Sequence, residues 1–479
     1  MDLQRSAPEK QGVKSQAIVD FLNKIKDESH ELHSFMLLKN GNVISECWWE
    51  PYAPQYRHQL FSLSKSFTST AIGMAVSEGL LGVDTLLVDI FRQEIGELGD
   101  DIDEKIKRMT VRHILIMGTG MEYENWTFWG RQTNNIKNFL SSHIKNEPGS
   151  LFFYHSMATY IQSAIITKLT GLNLVDYLKP RLFEPLGISD PYWEQDNLGI
   201  SMGGFGLNIK TEEIAKFGQL YLQKGEWNGK QLISESWVNE ATRKHINNEN
   251  NNANASIDWS QGYGYQFWRC RPEGVYRGDG MYGQFCIVMP DADAVIAITS
   301  NADMQRVQDL IWDMLLPALR ENSEPREDKA AHDKLLRAQE DLSHLKTNAG
   351  AAALPVMHAE YKADDMRVYF DINEADGIIS IDYDDSKIIY KIKKGEWVDS
   401  ASLSSLIFKK PLDIFYRCKV YSEWNAPEDT LELILWYYET PVKVPVKLKF
   451  NKDKSKLTVM SGINEVLTWE DKIYELDKI

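Results

Sequence analysis

Apolar positions recur at helical spacing over residues 15–28, where Ile18, Val19, Phe21, Leu22 and Ile25 share one broad face. The period then shortens to that of a strand. Ser34-Phe35-Met36-Leu37-Leu38 and Val43-Ile44-Ser45-Glu46-Cys47-Trp48 flank Lys39-Asn40-Gly41-Asn42, which predicts a hairpin over 32–49. Phe67, Ala71, Ile72, Met74, Ala75 and Val76 then predict an apolar helix that begins at Ser62 and stops at Gly79. Between about 109 and 245 the spacing is mostly helical, most clearly over 160–169 and 212–222, with Gly171 and Gly225 near the ends of those segments. Strand patterns return at 262–269, 283–289 and 294–300, with Pro290-Asp291-Ala292-Asp293 as the turn between the last two, and a helix is expected over 302–320. Strands at both ends with helices between them predict an α+β domain. Its single antiparallel sheet is built from both ends of the domain, covered by helices, and carries an inserted helical subdomain.

The character of the chain changes at 322. Glu321-Asn322-Ser323-Glu324-Pro325 opens a charged stretch with helical spacing at Leu335, Leu336, Leu342 and Leu345, and a small-residue run from Gly350 to Leu354 precedes Pro355. From 356 onward short strand patterns follow one another: 366–372, 377–383, 387–393, 414–422, 430–438, 442–450, 457–460 and 466–470. Some eight strands with polar turns, roughly counted, fit a small barrel or sandwich. The expected domains are therefore 1–322, a linker with a helix over 323–355, and an all-β domain over 356–479, which shows no catalytic motif. There is no internal repeat.

Composition narrows the function. A chain of 479 residues is too long for one ordinary core. Its net charge of −16 offers no cationic excess to displace phosphate counterions, so nucleic acid is not an expected partner. No window approaches the roughly 18 apolar residues of a membrane span, and Met1 to Lys10 contains no apolar stretch of signal-peptide length, so a cytoplasmic location is expected. Cys47, Cys270, Cys286 and Cys418 are scattered, and the ten histidines show no metal-ligand spacing, so neither a metal nor another cofactor is expected. Nothing in the pattern reports an oligomeric state.

The chemistry is concentrated in three places. Ser62 precedes Lys65 by three residues, a spacing that puts both on one helix face. A serine hydroxyl becomes a useful nucleophile when a neighbouring base takes its proton, and a desolvated lysine is such a base. Chance alone gives about two such spacings in a chain this long, and Ser142–Lys145 and Ser343–Lys346 are two more. Those two lie in polar or charged surroundings, whereas Ser62 opens an apolar helix. Taken alone, Ser62 reads more readily as a helix cap than as a nucleophile. The second place is Pro148-Gly149-Ser150-Leu151-Phe152-Phe153-Tyr154-His155-Ser156, where a turn offers a phenol to a lysine. The third is Tyr276-Arg277-Gly278-Asp279-Gly280-Met281-Tyr282-Gly283-Gln284, whose glycines let a ligand approach the backbone. A strand N–H there, paired with that of Ser62, would make an oxyanion hole, and Arg277 would bind a substrate carboxylate.

These three elements, in this order, resemble the penicillin-recognising serine hydrolases: class C β-lactamases, low-molecular-weight penicillin-binding proteins, and their esterase and amidase relatives. Ser62–Lys65 is similar to the family's Ser-x-x-Lys, Tyr154–Ser156 to its Tyr-x-Asn, and residues 277–280 to its Lys-Thr-Gly or His-x-Gly strand. Residues 109–121, Leu182 to Ile188, and Gly203-Gly204-Phe205-Gly206-Leu207 resemble further family segments, so the likeness covers roughly residues 5–320. Ser156 stands where asparagine is usual, and the Gly280-x-x-Gly283-Gln284 ending resembles the nylon-oligomer hydrolase and esterase branch more than true β-lactamases. The resemblance implies an acyl-enzyme mechanism on small esters, amides or peptides. Ser62, Lys65 and Tyr154 would be catalytic, and Ser156, Arg277, Gly280, Gly283 and Gln284 would serve substrate and oxyanion. It leaves open β-lactamase, D-aminopeptidase or penicillin-binding activity, or a non-catalytic binding role on the same fold. It also implies that 356–479 is a lipocalin-like barrel. Trp126-Thr127-Phe128-Trp129 is a candidate pocket wall.

Overall fold

The computed structural model describes residues 2–99, 102–122, 133–249, 257–321, 323–324, 326–344, 348–364, 366–383, 386–402, 416–461 and 472–479. The chain forms two compact units, one of residues 1–48 and 54–343 and the other of residues 49–53 and 344–479.

The first unit is built on a six-stranded antiparallel sheet. Its elements are α1 (Ser15–Asp27), β1 (Glu31–Lys39), β2 (Asn42–Trp48), α2 (Ser64–Ser77), α3 (Ser156–Thr170), α4 (Thr211–Leu222), β3 (Trp268–Arg269), β4 (Tyr276–Gly280), β5 (Gln284–Met289), β6 (Ala294–Asn301) and α5 (Lys329–Ser343). The strand order is β2-β1-β6-β5-β4-β3, so the two ends of the region meet where β1 pairs with β6, Phe35 opposite Ile298. This is the α+β sheet that the order of the elements predicts. β1 is buried at every position after its first. A strand covered on both faces reads as a continuous apolar run, not as an alternation. Phe35 meets Phe21 of α1 at 5.5 Å on one face, while Met36 and Leu38 join the core that contains α2, α3 and α4 on the other. Gly218 lets α4 lie close to the sheet, because a Cβ there would stand 2.6 Å from Val295 Cγ1.

α2 is buried around its whole circumference from Ser64 to Ala75, as a helix inside a core must be. It ends before Gly79, whose φ is +73°, the left-handed stop that glycine tolerates. The helix expected from Ser62 begins instead as a 3₁₀ turn over Phe61–Leu63. The strand expected over 262–269 is reduced to β3, because Gln266 sits at φ +64° and takes the chain out of the extended conformation. Trp126 to Trp129 lie outside the described residues.

The second unit is a ten-stranded, nearly closed antiparallel barrel: β7 (Met357–Lys362), β8 (Met366–Ile372), β9 (Asp376–Tyr383), β10 (Ser386–Lys393), β11 (Trp397–Ser402), β12 (Tyr416–Asn425), β13 (Thr430–Tyr437), β14 (Val442–Phe450), β15 (Lys456–Ser461) and β16 (Lys472–Lys478). The order β10-β9-β8-β7-β16-β15-β14-β13-β12-β11 leaves β10 and β11 as edges. Ser400 Oγ bridges them, accepting from Lys391 N–H and donating to Ile389 O. The strand pattern falls short of the ten by β7, β11 and β16, and the expected strand at 466–470 lies outside the described residues. Alternation is sharpest in β14, where Val442, Val444, Val446, Leu448 and Phe450 are buried and Pro445, Lys447 and Lys449 are exposed. Residues 49–53, which follow the β1–β2 hairpin, belong to this unit. Tyr52 lies edge-on to Trp436 at 5.7 Å, donates to Thr440 O and accepts from the Trp436 indole N–H.

Candidate active site

Ser62 is the middle residue of the 3₁₀ turn that feeds α2. Phe61, just before it, is held at φ +47°, a left-handed conformation that costs a bulky side chain about 1–3 kcal/mol and persists only where its surroundings fix it. Ser64 supplies part of that fixing. Its hydroxyl donates to Phe61 O at 2.6 Å and accepts from Leu207 N–H at 3.1 Å. The Phe61 ring also meets Tyr282 edge-on at 5.3 Å, and Tyr282 is itself at φ +70°.

Lys65 lies one turn on, with only 1% of its surface exposed. Its ammonium donates to Ser62 Oγ at 3.0 Å, Ser156 Oγ at 3.1 Å and Gly204 O at 2.7 Å. Loss of one proton from that ammonium leaves a lone pair beside the Ser62 hydroxyl. Ser156 is the first residue of α3. Gly204 reaches the amine because its chain passes close to that helix start, where a Cβ on Gly204 would lie 2.9 Å from Ser156 O. The contribution of Gly204 O was not legible from the sequence. A backbone carbonyl has no residue signature, although the glycine pair at 203–204 marks the close approach.

Tyr154 places its ring 4.8 Å from Lys65 Nζ and stacks on Trp268 with centroids 5.3 Å apart and planes 23° apart. His155 points into the protein. Burial and the nearby Lys65 charge hold its pKa down to about 3, and among the described residues Nδ1 has no hydrogen-bond partner. It is therefore a neutral ring at ordinary pH, and among the described residues no acidic group orients its Nδ1 as in a serine–histidine relay.

The third element divides by strand face. Gly278 and Gly280 of β4 face the Ser62 turn and the start of α2. A Cβ on Gly278 would stand 2.5 Å from Ser66 Oγ, and one on Gly280 would collide with Leu60 O and lie 3.2 Å from Leu63 N. The strand end is thereby pressed against the Ser62 turn, as an oxyanion pocket between the two backbones requires. Gly283, at φ +92°, makes the turn after β4, and the Gln284 amide donates to Met281 O at 2.9 Å and Ser300 O at 2.8 Å, which holds that turn. Gly283 and Gln284 thus shape the strand end from behind. Arg277, expected at a substrate carboxylate, is fully buried. Its Nε donates to Asp279 at 2.9 Å, its Nη1 donates to Asp258 O at 3.0 Å, and its guanidinium lies over the Trp259 ring at 4.5 Å. Burial pushes the Asp279 carboxyl up, while Arg277 and, more weakly, Lys65 pull it down. Asp279 and Trp268 are further members of this cluster that spacing did not single out.

Among the described residues, no group of three or more His, Cys, Asp or Glu side chains is placed to hold a metal, and no helix is long and apolar enough to cross a membrane. The arrangement as a whole sets a serine hydroxyl against a buried amine, with a phenol ring alongside and a glycine-lined strand across from it. That is the equipment of acyl transfer.

Comparison with known proteins agrees with this reading of the fold. The chain is similar to the 6-aminohexanoate-dimer hydrolase of Paenarthrobacter ureafaciens, with 22% identity over 290 residues, 56% of this chain and 72% of that protein. Among solved structures it resembles a penicillin-binding protein homologue from Caulobacter crescentus, with a TM-score of 0.51 and 16% identity over 65% of this chain and 98% of the other. It also resembles the octameric penicillin-binding protein homologue from Pyrococcus abyssi, with a TM-score of 0.51 and 15% identity over 96% of this chain and 99% of that one. The profile of the Beta-lactamase family matches residues 30–316. That match spans more than half of the chain and encloses Ser62, Lys65, Tyr154 and the β4 strand end, so this protein belongs to the Beta-lactamase family.

Proposed function

We propose that this chain is a serine hydrolase that works through an acyl-enzyme on small esters or amides. The observation that carries the reading is the 3.0 Å contact from the buried Lys65 amine to Ser62 Oγ, in a pocket where Ser156 and Gly204 O hold the same amine. Ser62 attacks the substrate carbonyl as Lys65 takes its proton. The oxyanion that forms is met by backbone N–H groups of the Ser62 turn and the Gly280 strand end. Tyr154, whose ring lies beside the Lys65 amine, passes the proton to the leaving group. Water then attacks the acyl-enzyme, and the same groups run in reverse. Ser156 orients Lys65.

The name of the Paenarthrobacter relative, a 6-aminohexanoate-dimer hydrolase, supports a short linear amide as one substrate class. The Arg277 geometry favours such neutral acyl groups over acids, since the guanidinium is fully buried and its Nε is paired with Asp279.

The test is a fluorophosphonate probe and a p-nitrophenyl ester applied to the protein beside Ser62→Ala. The parent is expected to be labelled and to turn over, and the variant to lose at least about 10³-fold in kcat. Labelling or turnover that survives in Ser62→Ala would sink the nucleophile assignment. Labelling without turnover would favour a binding protein that acylates once.

A further inference from the structure

The face of β4 opposite its two glycines carries Arg277 and Asp279, two residues apart and hence side by side. Trp268 of β3 is the register partner of Arg277, so all three side chains share that face. The Asp279 carboxylate accepts from Arg277 Nε at 2.9 Å, and the guanidinium it holds lies over the Trp268 ring at 5.9 Å. The guanidinium is pinned in turn by Asp258 O and by the Trp259 ring. On its far side the Trp268 ring stacks on Tyr154, and Tyr154 lies against the Lys65 amine. A continuous set of contacts thus runs from a buried ion pair to the Ser62–Lys65 pair.

We infer that the Arg277–Asp279 pair positions Tyr154, acting through Trp268, and is not an anchor for a substrate carboxylate. The inference rests on the acyl-enzyme reading above. Its physical basis is the stiffness of the parts. An indole packed between a buried guanidinium and a phenol has little freedom to tilt, and the stacked phenol inherits that orientation. A buried ion pair is a poor device for stability alone, because its desolvation offsets much of its attraction. Here the pair acts by placing one indole. Phe152 and Tyr263 close the sides of that indole, at 5.8 Å and 4.7 Å, and Arg277, held by Asp279, packs over the ring.

The test uses the full chain and two p-nitrophenyl esters, one with a neutral acyl group and one whose acyl group ends in a carboxylate. Asp279→Asn and Trp268→Leu are each expected to lower kcat about 10- to 100-fold on both esters and to leave KM within about twofold. Trp268→Phe, which restores a ring for Tyr154 to stack on, is expected to recover most of that loss. The double variant should be no worse than Trp268→Leu alone. Arg277→Met should behave like Asp279→Asn. A rise in KM confined to the carboxylate ester in Arg277→Met would overturn the inference in favour of a substrate anchor. Parental kcat in Trp268→Leu would overturn it outright, and that variant decides the question even where changes to the ion pair prevent folding. Ser62→Ala is run in parallel: if it stays active the acyl-enzyme reading itself fails, whereas an inactive Ser62→Ala beside a fully active Trp268→Leu removes only the positioning role.

Discussion

The two units of this chain exclude water in opposite ways. In the barrel, alternate residues of each strand point inward and carry the core by volume. Tyr361, Phe370 and Phe450 meet with ring centroids between 5.4 and 5.8 Å, and the outward positions of β14 are lysines and a proline. In the hydrolase unit, the region around Ser62 is held by the lack of side chains at Gly204, Gly278 and Gly280, and its interior contains charges. The difference shows where chemistry can be housed. A volume-filled interior has no use for a buried lysine. A site where backbones touch can surround one with oxygens at hydrogen-bond distance.

Substitutions that exchange the two strategies test this contrast. The largest expected effect on stability is in the barrel. Leu448→Ala removes a fully buried side chain and is expected to lower stability by about 2–5 kcal/mol in denaturant titration of the barrel's transition. A loss under half a kilocalorie would mean that volume does not hold this unit. In the hydrolase unit the equivalent damage comes from adding atoms. Gly280→Ala drives a methyl group into Leu60 O and is expected to cost about 1–3 kcal/mol as an overpacked contact, with a fall in ester hydrolysis because the Ser62 turn must move. Unchanged hydrolysis would separate the glycine from the site.

Buried histidine supplies the next effect. Burial and the Lys65 charge hold the folded-state pKa of His155 to about 3, below the ordinary histidine value of about 6.5. The unfolded chain therefore binds a proton that the folded chain refuses, and stability falls as pH drops from 6.5 toward 3, by up to about 1.4 kcal/mol per pH unit. His155→Phe should flatten that slope in urea titrations at pH 4 and 6, and an unchanged slope would place the titration elsewhere, as at His58, which burial also holds well down. The smallest effect is a control. Gly96 lies in the short helix Arg92–Leu98 with nothing near its Cβ position, so Gly96→Ala should stabilise by about 0.4–1 kcal/mol. Destabilisation there would show that glycines of this unit are required for reasons other than close approach.

Much of this could be read along the chain. The hairpin of β1 and β2, the apolar α2 and the return of strands after 262 follow from period and turn residues, and together they dictate a sheet closed by β1 and β6. Ser62 and Lys65 were legible because an i,i+3 spacing on a buried helix is a local geometry. Tyr154 and Ser156 were legible only as a motif, since nothing local aims a phenol at an amine 89 residues earlier in the chain. The meaning of Arg277 was not legible. A glycine-rich strand with an arginine reads as a ligand edge, and only the pairing of β3 with β4 reveals that its carboxylate partner is two residues away and that an indole lies between them and Tyr154.

The sequence by itself therefore determined the periods, the breaks and the local serine–lysine geometry, because these depend on neighbours within one turn of helix or one strand. Tertiary structure alone decided three things: which carbonyl Lys65 donates to, which face of β4 meets the Ser62 turn, and that residues 49–53 belong with the barrel. Each of these depends on the approach of segments far apart in the chain. The close approach of backbones and the pairing of buried charges are set by packing, which no short stretch of residues encodes.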